Sequence, residues 1–359
     1  MRILHISSIS RRHNYTLHSR IPMLKTFQHN KVRPSVSVPI TSSAVKCITE
    51  VEPAIQAVAD LLRDSRGKVV VLTGAGVSTD SGIPDYRGER GTYTVNANYK
   101  PIYFQEFVST HPFRQRYWAR GFMGWPQIQR AFPNPTHNSL VSLHRSGHIA
   151  HIITQNVDRL HQTAGSPTQH TTELHGTLHE VHCLTCSHAI PRDDFQATLA
   201  RMNPDWARWA AELTHTGTRP RTNPDGDVEL PASVSYANFT YPSCPSCGTG
   251  IIKPSVVFFG ENIHQHVKQV SFQAIEQNSA VLVIGSSLAT YSAFRLVKMA
   301  KEMGKQVGIV NLGATRGDEV ADFKVDLGCG VVIPRAEEAL DRATGQDAGK
   351  RMENGVGLS

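Results

Sequence analysis

Six cysteines punctuate the chain, and four of them fall into two C-x-x-C pairs, Cys183 with Cys186 and Cys244 with Cys247. Four thiolates at that spacing close a tetrahedral zinc site of the structural kind, because four protein ligands leave no position open for a reacting water. No secretory signal precedes them, which favours a metal over disulfides. The 57 residues between the pairs exceed what a compact ribbon needs, and His179, His182 and His188 stand close enough to compete as ligands. Cys47 and Cys329 stand apart. A second set of residues points to a dinucleotide. Gly74-Ala75-Gly76, Gly285-Ser286-Ser287 and Asn311-Leu312-Gly313 each follow a short apolar run. In an open α/β sheet the ligand lies at the carboxyl ends of the strands. Glycine there lets backbone approach a pyrophosphate, and a following helix offers N–H donors. The first loop departs from G-x-G-x-x-G at Thr79. The window about 20 residues further on, Val95-Asn96-Ala97-Asn98, holds no acid for a ribose. NAD binding is expected; the architecture of hydride transfer is not.

The elements that must position these groups follow from hydrophobic periodicity. The body opens near Val51, where Ala54, Ile55, Val58, Leu61 and Leu62 recur at helical spacing before Gly67. Val69-Val70-Val71-Leu72 reads as a buried parallel strand, and similar runs lie at 149–154, 256–259, 281–284 and 307–310. Helix-length segments such as 292–303 separate them. This alternation predicts an α/β fold, a Rossmann-like parallel sheet with a smaller zinc-binding and helical domain inserted. The sheet domain is expected over 46–178 and 250–335. Within it, 85–135 forms a cofactor loop and helical module, with a helix near 113–120. A zinc module spans 179–249, polar between its cysteine pairs, and 336–359 is a polar, frayed tail.

The net charge of +7 invites a nucleic-acid reading, but its placement opposes one. Residues 1–49 carry eight Arg or Lys and no Asp or Glu, which leaves 29 basic against 30 acidic residues in the rest. That near-neutral body is no basic binding surface, and no nucleic acid is expected as a partner. The leader, with Arg2, Arg11, Arg12 and Arg20 among Ser and His and no apolar core, has the composition of a mitochondrial presequence over 1–45. The mitochondrial matrix is the expected location. No apolar run reaches the 18 residues of a membrane span.

The stretch Gly74-Ala75-Gly76-Val77-Ser78-Thr79-Asp80-Ser81-Gly82-Ile83-Pro84-Asp85-Tyr86-Arg87 resembles the signature of sirtuins. So do Gln155-Asn156-Val157-Asp158 with Leu160-His161 and Ala164-Gly165, then Glu173-Leu174-His175-Gly176, Phe259-Gly260-Glu261 and Gly285-Ser286-Ser287-Leu288, in that family's order. The resemblance implies an NAD-dependent protein-lysine deacylase. In that chemistry the acyl oxygen attacks C1′ of the nicotinamide ribose, nicotinamide leaves, and a histidine takes a proton from a ribose hydroxyl. His175 holds the place of that base, and an ordinary histidine pKa of about 6.5 suits the task. His144, His148, His151 and His161 are read as structural. Asn156 and Asp158 resemble the pair that holds the ribose and the nicotinamide amide, flanked by Gln155 and Val157. Asp85, Tyr86 and Arg87 resemble the mobile cofactor loop, with Arg87 answering the diphosphate. The three strand-end loops, Thr79 and Cys329 complete the implied NAD pocket. Acylated protein lysines enter as an extended strand beside Val256-Val257-Phe258 and the loop after Ser287, reading backbone more than side chains.

Arg114-Gln115-Arg116-Tyr117-Trp118-Ala119-Arg120, Gly124-Trp125-Pro126 and Asp225-Gly226-Asp227-Val228 resemble the mitochondrial sirtuin-four type of class II. Desuccinylating relatives carry Tyr-x-x-Arg at the acyl pocket, and alignment sets Ala119 and Phe122 there, without a cation for an acidic acyl chain. The type is credited with removing lipoyl, biotinyl and methylglutaryl-type groups and with ADP-ribosyl transfer. Two other readings are weighed: protein mono-ADP-ribosylation as the main activity, and a zinc-ribbon nucleic-acid module, which the near-neutral body disfavours.

Overall fold

The computed structural model describes residues 45–96, 99–218 and 220–355, with side chains through residue 343; apart from Val45, the expected presequence lies outside them. Ten strands form among the described residues: β1 (Lys46–Ile48), β2 (Val69–Thr73), β3 (His151–Thr154), β4 (Thr171–Glu173), β5 (Gly176–Cys183), β6 (Ala189–Pro191), β7 (Ile252–Val256), β8 (Ala280–Ile284), β9 (Gln306–Val310) and β10 (Phe323–Val325). Seven make one sheet in the order β1-β10-β9-β8-β2-β3-β4, every pairing parallel. All five residues of β2 and of β8 are buried. Their alternation feeds two cores. Val69, Val71, Leu282 and Ile284 pack on one face with the helix Val51–Asp64, while Val70, Leu72, Val281 and Val283 pack on the other with the helix Tyr291–Glu302. Each such aliphatic side chain contributes about 1.5–3 kcal/mol by leaving water. From β2 the sheet runs to β3 and β4 on one side and to β8, β9 and β10 on the other. The strand order therefore reverses between β2 and β8, the position where ligands bind in open α/β sheets.

Several expectations are corrected. The body begins before Val51, because β1 adds an edge strand to β10 with Cys47 opposite Lys324. The strand expected at 256–259 forms earlier and elsewhere. It is β7, antiparallel to β5 in a separate sheet of order β6-β5-β7. Lys253 and Pro254 hid it, since a charged residue and a proline interrupt the apolar run; the lysine is nonetheless buried. The tail does not fray at 336. It continues the helix Cys329–Gly355, and Ala336 and Leu340 are buried in the core that holds the helix Val51–Asp64. The segment between the cysteine pairs contains the helices Arg192–Met202 and Pro204–His215. Phe195 and Leu199 of the first share a core with Phe107 and Trp118, the rings of Trp118 and Phe195 lying 4.7 Å apart. The helix expected near 113–120 runs from His111 to Gln129.

Candidate functional site

The four paired cysteines converge at the end of β5 with their sulfurs within 4.8 Å of one another. Cys183 Sγ lies 3.7 Å from Cys247 Sγ, and Cys186 Sγ lies 3.6 Å from Cys244 Sγ. Ligands about 2.3 Å from a tetrahedral zinc stand about 3.8 Å apart, so the donor set fits that ion. Backbone N–H groups of Thr185, Cys186 and Gly250 point at Cys183 Sγ and Cys247 Sγ at 3.3–3.5 Å, as thiolates require. The histidines left open as competitors are engaged elsewhere: His179 Nε2 meets the Asp158 carbonyl, and His182 Nδ1 meets Ser255 Oγ. His188 lies outside the cluster that could hold an ion. The site is structural zinc.

At the switch point the loops after β2 and β8 interlock. Gly76 N–H donates to Gly285 O at 2.9 Å, and Gly74 N–H to Ile284 O at 3.1 Å. A Cβ on Gly74 would lie 2.7 Å from Ser286 Cβ, and one on Gly76 2.8 Å from Gly285 Cα. These glycines are needed for loop-to-loop contact as well as for any ligand. Thr79, the departure from the common fingerprint, donates its hydroxyl to Gly76 O. Cys329 is buried beside the same turn with Sγ 3.5 Å from Gly76 O, and burial pushes its thiol up to about 11. Asn311 Nδ2 donates to Leu312 O and Gly313 O, holding the third loop, and Leu312 is exposed. Arg87 lies over the Tyr93 ring at 5.0 Å, and Asp85 Oδ1 accepts from Gly88 N–H. Burial raises Tyr86 well above its ordinary pKa.

The polar residues after β3 form one network beneath those loops. Ser78 donates to Asp158 Oδ2 at 2.7 Å and accepts from Asn156 Nδ2 at 3.0 Å. Asp158 Oδ1 accepts from Leu160 N–H; burial raises its carboxyl, with these hydrogen bonds opposing. Gln155 Nε2 donates to Thr73 O and to Ser286 Oγ at 2.7 Å, which ties β2, β3 and the loop after β8 together. Val157 is buried.

His175 lies between β4 and β5. Its Nδ1 is 3.2 Å from Gln155 O and its Nε2 is 2.8 Å from Ser292 Oγ. A carbonyl can only accept, so Nδ1 carries the proton and Nε2 presents its lone pair. Burial lowers the imidazole to about 4, not the ordinary value expected from sequence. Ser292 was missed: it lies outside the recognised motifs, and only the fold brings it to His175.

The two residues expected at the acyl pocket lie in the core. Ala119 and Phe122 are buried, and the Phe122 ring packs on Phe239 at 5.9 Å. A small cavity of about 10 Å³ nearby is lined by Tyr117, Gly121, Leu178, Arg192, Pro254 and the Asp225-Gly226-Asp227 turn. Tyr117 and Arg120 themselves stand at Tyr-x-x-Arg spacing. Arg120 Nε pairs with Asp227 Oδ1 at 2.7 Å and donates to Val228 O, with the two charged side chains only 8% and 12% exposed. Asp225 accepts from Tyr99 OH. Gly124 lets this turn approach, since a Cβ there would lie 2.0 Å from Gly226 O. No helix among the described residues is long and apolar enough to cross a membrane.

Comparison with known proteins agrees with this geometry. Residues 74–292 match the model of the Sir2 family. The chain is 49% identical over 278 residues to the NAD-dependent protein deacylase SIR4 of Batrachochytrium dendrobatidis, covering 76% of this chain and 90% of that protein. It is 42% identical over 267 residues to the NAD-dependent protein lipoamidase sirtuin-4, mitochondrial, of Bos taurus, covering 74% and 81%. A solved Sir2–p53 peptide–NAD+ structure matches with a TM-score of 0.58 at 30% identity, covering 81% of this chain and 98% of that one.

Proposed function

The chain belongs to the Sir2 family, and we propose that this NAD-dependent protein deacylase uses His175 as its base and prefers bulky, largely apolar or amide-bearing acyl groups on lysines presented in an extended strand. The observation that carries the reading is the chain Gln155 O–His175–Ser292 at the mouth of the interlocked loops. NAD supplies an electrophilic ribose carbon as nicotinamide departs. The chain's own residues then manage protons and position. With Nδ1 held by the Gln155 carbonyl, the lone pair on Nε2 is the one that receives a ribose proton. Ser292 now donates to that lone pair and marks the direction from which the hydroxyl approaches. A pKa near 4 keeps the base neutral throughout physiological pH. Asn156, held by Ser78, and Asp158 fix the ribose and the nicotinamide amide. The loops at Gly74-Ala75-Gly76, Gly285-Ser286-Ser287 and Asn311-Leu312-Gly313, with Arg87, receive the diphosphate and the second nucleoside.

Acyl choice follows from Arg120. Its charge is already answered by Asp227, so a succinyl carboxylate would find Arg120 engaged; the other cation beside Tyr117, Arg192, packs over the Trp118 and Trp125 rings. Burying that carboxylate costs several kcal/mol, whereas each added methylene gains about 0.8 kcal/mol. The lipoamidase name of the bovine relative supports a long, apolar acyl chain. The acid-free leader and the same relative's mitochondrial name support the matrix as its location.

The test is to incubate the protein with NAD and one peptide bearing acetyl-, succinyl-, biotinyl- or lipoyl-lysine and to identify products by mass spectrometry. The reading expects O-acyl-ADP-ribose, with kcat/KM highest for lipoyl or biotinyl. A succinyl value at or above the lipoyl value overturns the acyl assignment. Nicotinamide release with no O-acyl-ADP-ribose assigns the chain to ADP-ribosyl transfer instead.

A further inference from the structure

Lys253 is fully buried, at 1% side-chain exposure, in a strand next to the proposed peptide track. Its ammonium carries three protons and meets three acceptors. Glu261 Oε2 lies at 3.0 Å, Pro254 O at 3.1 Å, and Val256 O completes the set. The same ammonium sits 4.6 Å from the centre of the Phe258 ring, within the range of a cation–π contact. The acceptors are not incidental. Glu261 Oε2 also accepts the Phe258 N–H at 2.8 Å, and Glu261 N–H returns to Phe258 O at 3.1 Å. The chain from Val256 to Glu261 is thus wrapped around one cation.

Two edges of that wrapped segment face functional groups. Val257 N–H donates to His175 O at 2.8 Å, so the segment is registered against the proposed base. The Phe258 ring packs on Tyr117 at 5.2 Å and on Phe107 at 5.3 Å, so it also backs the wall of the small cavity. A buried ammonium costs free energy unless it is fully paired, and here two of its three acceptors, Val256 O and the Glu261 carboxylate that closes the turn, belong to the segment. An apolar residue would fill the same space without organising those carbonyls.

We propose that Lys253, clasped to Glu261, is a positioning residue for the acyl-lysine peptide: it fixes the backbone of Val256 through Phe259 in the shape against which the substrate strand docks. The clasp touches neither the NAD loops nor the ring of His175. It therefore governs peptide affinity and leaves NAD affinity and the chemical step alone. This inference rests on the strand-docking reading given above.

The experiment uses full-length protein and measures nicotinamide release, varying the peptide at saturating NAD and NAD at saturating peptide. Lys253→Met and Glu261→Gln are compared with the parent, with zinc content and Tm recorded. Lys253→Met is expected to raise the peptide KM at least tenfold while the NAD KM and kcat stay within threefold. Glu261→Gln, which keeps an acceptor for the Phe258 N–H and sits nearer the surface, raises it less. Lys253→Arg restores part of the loss. If Lys253→Met fails to fold, Glu261→Gln carries the test alone. Peptides N-methylated on either side of the acyl-lysine, tried on the parent enzyme, separate the two ideas. Unchanged peptide KM for those peptides overturns the strand docking and the clasp with it. A raised KM for them, together with an unchanged peptide KM in Lys253→Met and Glu261→Gln, overturns the clasp alone. Equal increases in peptide and NAD KM also overturn it, because they mean general loosening of the fold.

Discussion

Asp227→Asn tests whether the turn beside Tyr117 is held at an electrostatic cost. Burial pushes the Asp227 carboxyl from its ordinary 3.8 up to about 7, with the Arg120 guanidinium opposing and the Asp225 carboxylate adding to the rise. The sign follows from linkage. Between 3.8 and about 7 the folded protein binds a proton that the unfolded chain has released, so stability falls as pH rises through that window. At about 1.4 kcal/mol per unit, the whole shift is worth about 4 kcal/mol, of which about 2 kcal/mol falls between pH 5.5 and 8. The amide keeps the shape and an acceptor for Arg120 Nε but has no charge to bury. Asp227→Asn should therefore gain about 2 kcal/mol on the parent as pH rises from 5.5 to 8, read by urea denaturation at both pH values. Groups that do not interact with Asp227 cancel in the difference, and Asp225, relieved of its neighbour's charge, changes it in the same direction. A gap that does not change with pH refutes the reasoning, because it means that Arg120 keeps Asp227 ionised at ordinary cost. The same variant removes the carboxylate paired with Arg120 Nε and leaves only the more distant Asp225 to answer its charge. The kcat/KM ratio of succinyl- to lipoyl-lysine peptide should then rise about tenfold, equivalent to about 1.4 kcal/mol. An unchanged ratio means that Arg120 does not face the acyl chain.

His175→Ala should abolish deacylation while leaving zinc content and Tm intact; turnover within tenfold of the parent removes His175 as the base. Because burial lowers His175 to about 4, the base is neutral from that pH upward, and kcat/KM, which reports the free enzyme, should show no inflection near 6.5. An inflection there contradicts the burial argument. Cys183→Ala should release zinc and lower Tm, since the metal contributes folding free energy in such sites; unchanged zinc stoichiometry by atomic absorption excludes four-cysteine ligation. A chain beginning at Ala44 should match full-length protein in Tm and activity, whereas one beginning at Glu50 should lose several degrees because it strips β1 from the edge of β10. Equal melting of the two would show that β1 adds nothing.

The parallel sheet was legible because its central strands are short, apolar and β-branched, and each ends in a loop of small or polar residues. β2 and β8 read directly as buried runs, and the helix Val51–Asp64 kept its expected apolar stripe. The small sheet was not legible. β5 reads Gly-Thr-Leu-His-Glu-Val-His-Cys, and a register shift between Gly176 and Val181 breaks the alternation that would reveal it. β7 was obscured by the lysine that the fold buries. The cysteines, the three loops and His175 were readable as local spacing. Ser292 and the pairing of Arg120 with Asp227 join residues more than 100 positions apart, and no local pattern carries such contacts. The alignment that set Ala119 and Phe122 at the acyl pocket also missed the Tyr-x-x-Arg spacing of Tyr117 and Arg120.

The position of His175 explains why a zinc module belongs in this fold at all. Leu174 N–H donates to Thr154 O and so closes the large sheet, and one residue later His175 O accepts from Val257 N–H in the small sheet. His175 thus occupies the seam between the two. The seam is tight: Gly176 has φ of +77°, and a Cβ there would lie 1.9 Å from Ser255 O. The imidazole meets Gln155 O and Ser292 Oγ, while its backbone carbonyl accepts from the segment that carries Val257 and Phe258. β5 runs from that seam directly to Cys183, and β7 returns beside it from the knuckle of Cys247 and Gly250. Zinc fixes the far ends of the same two strands whose near ends, in the function proposed above, set the peptide track against His175. The metal takes no part in bond making, yet the register of the reacting groups depends on the two strands it joins.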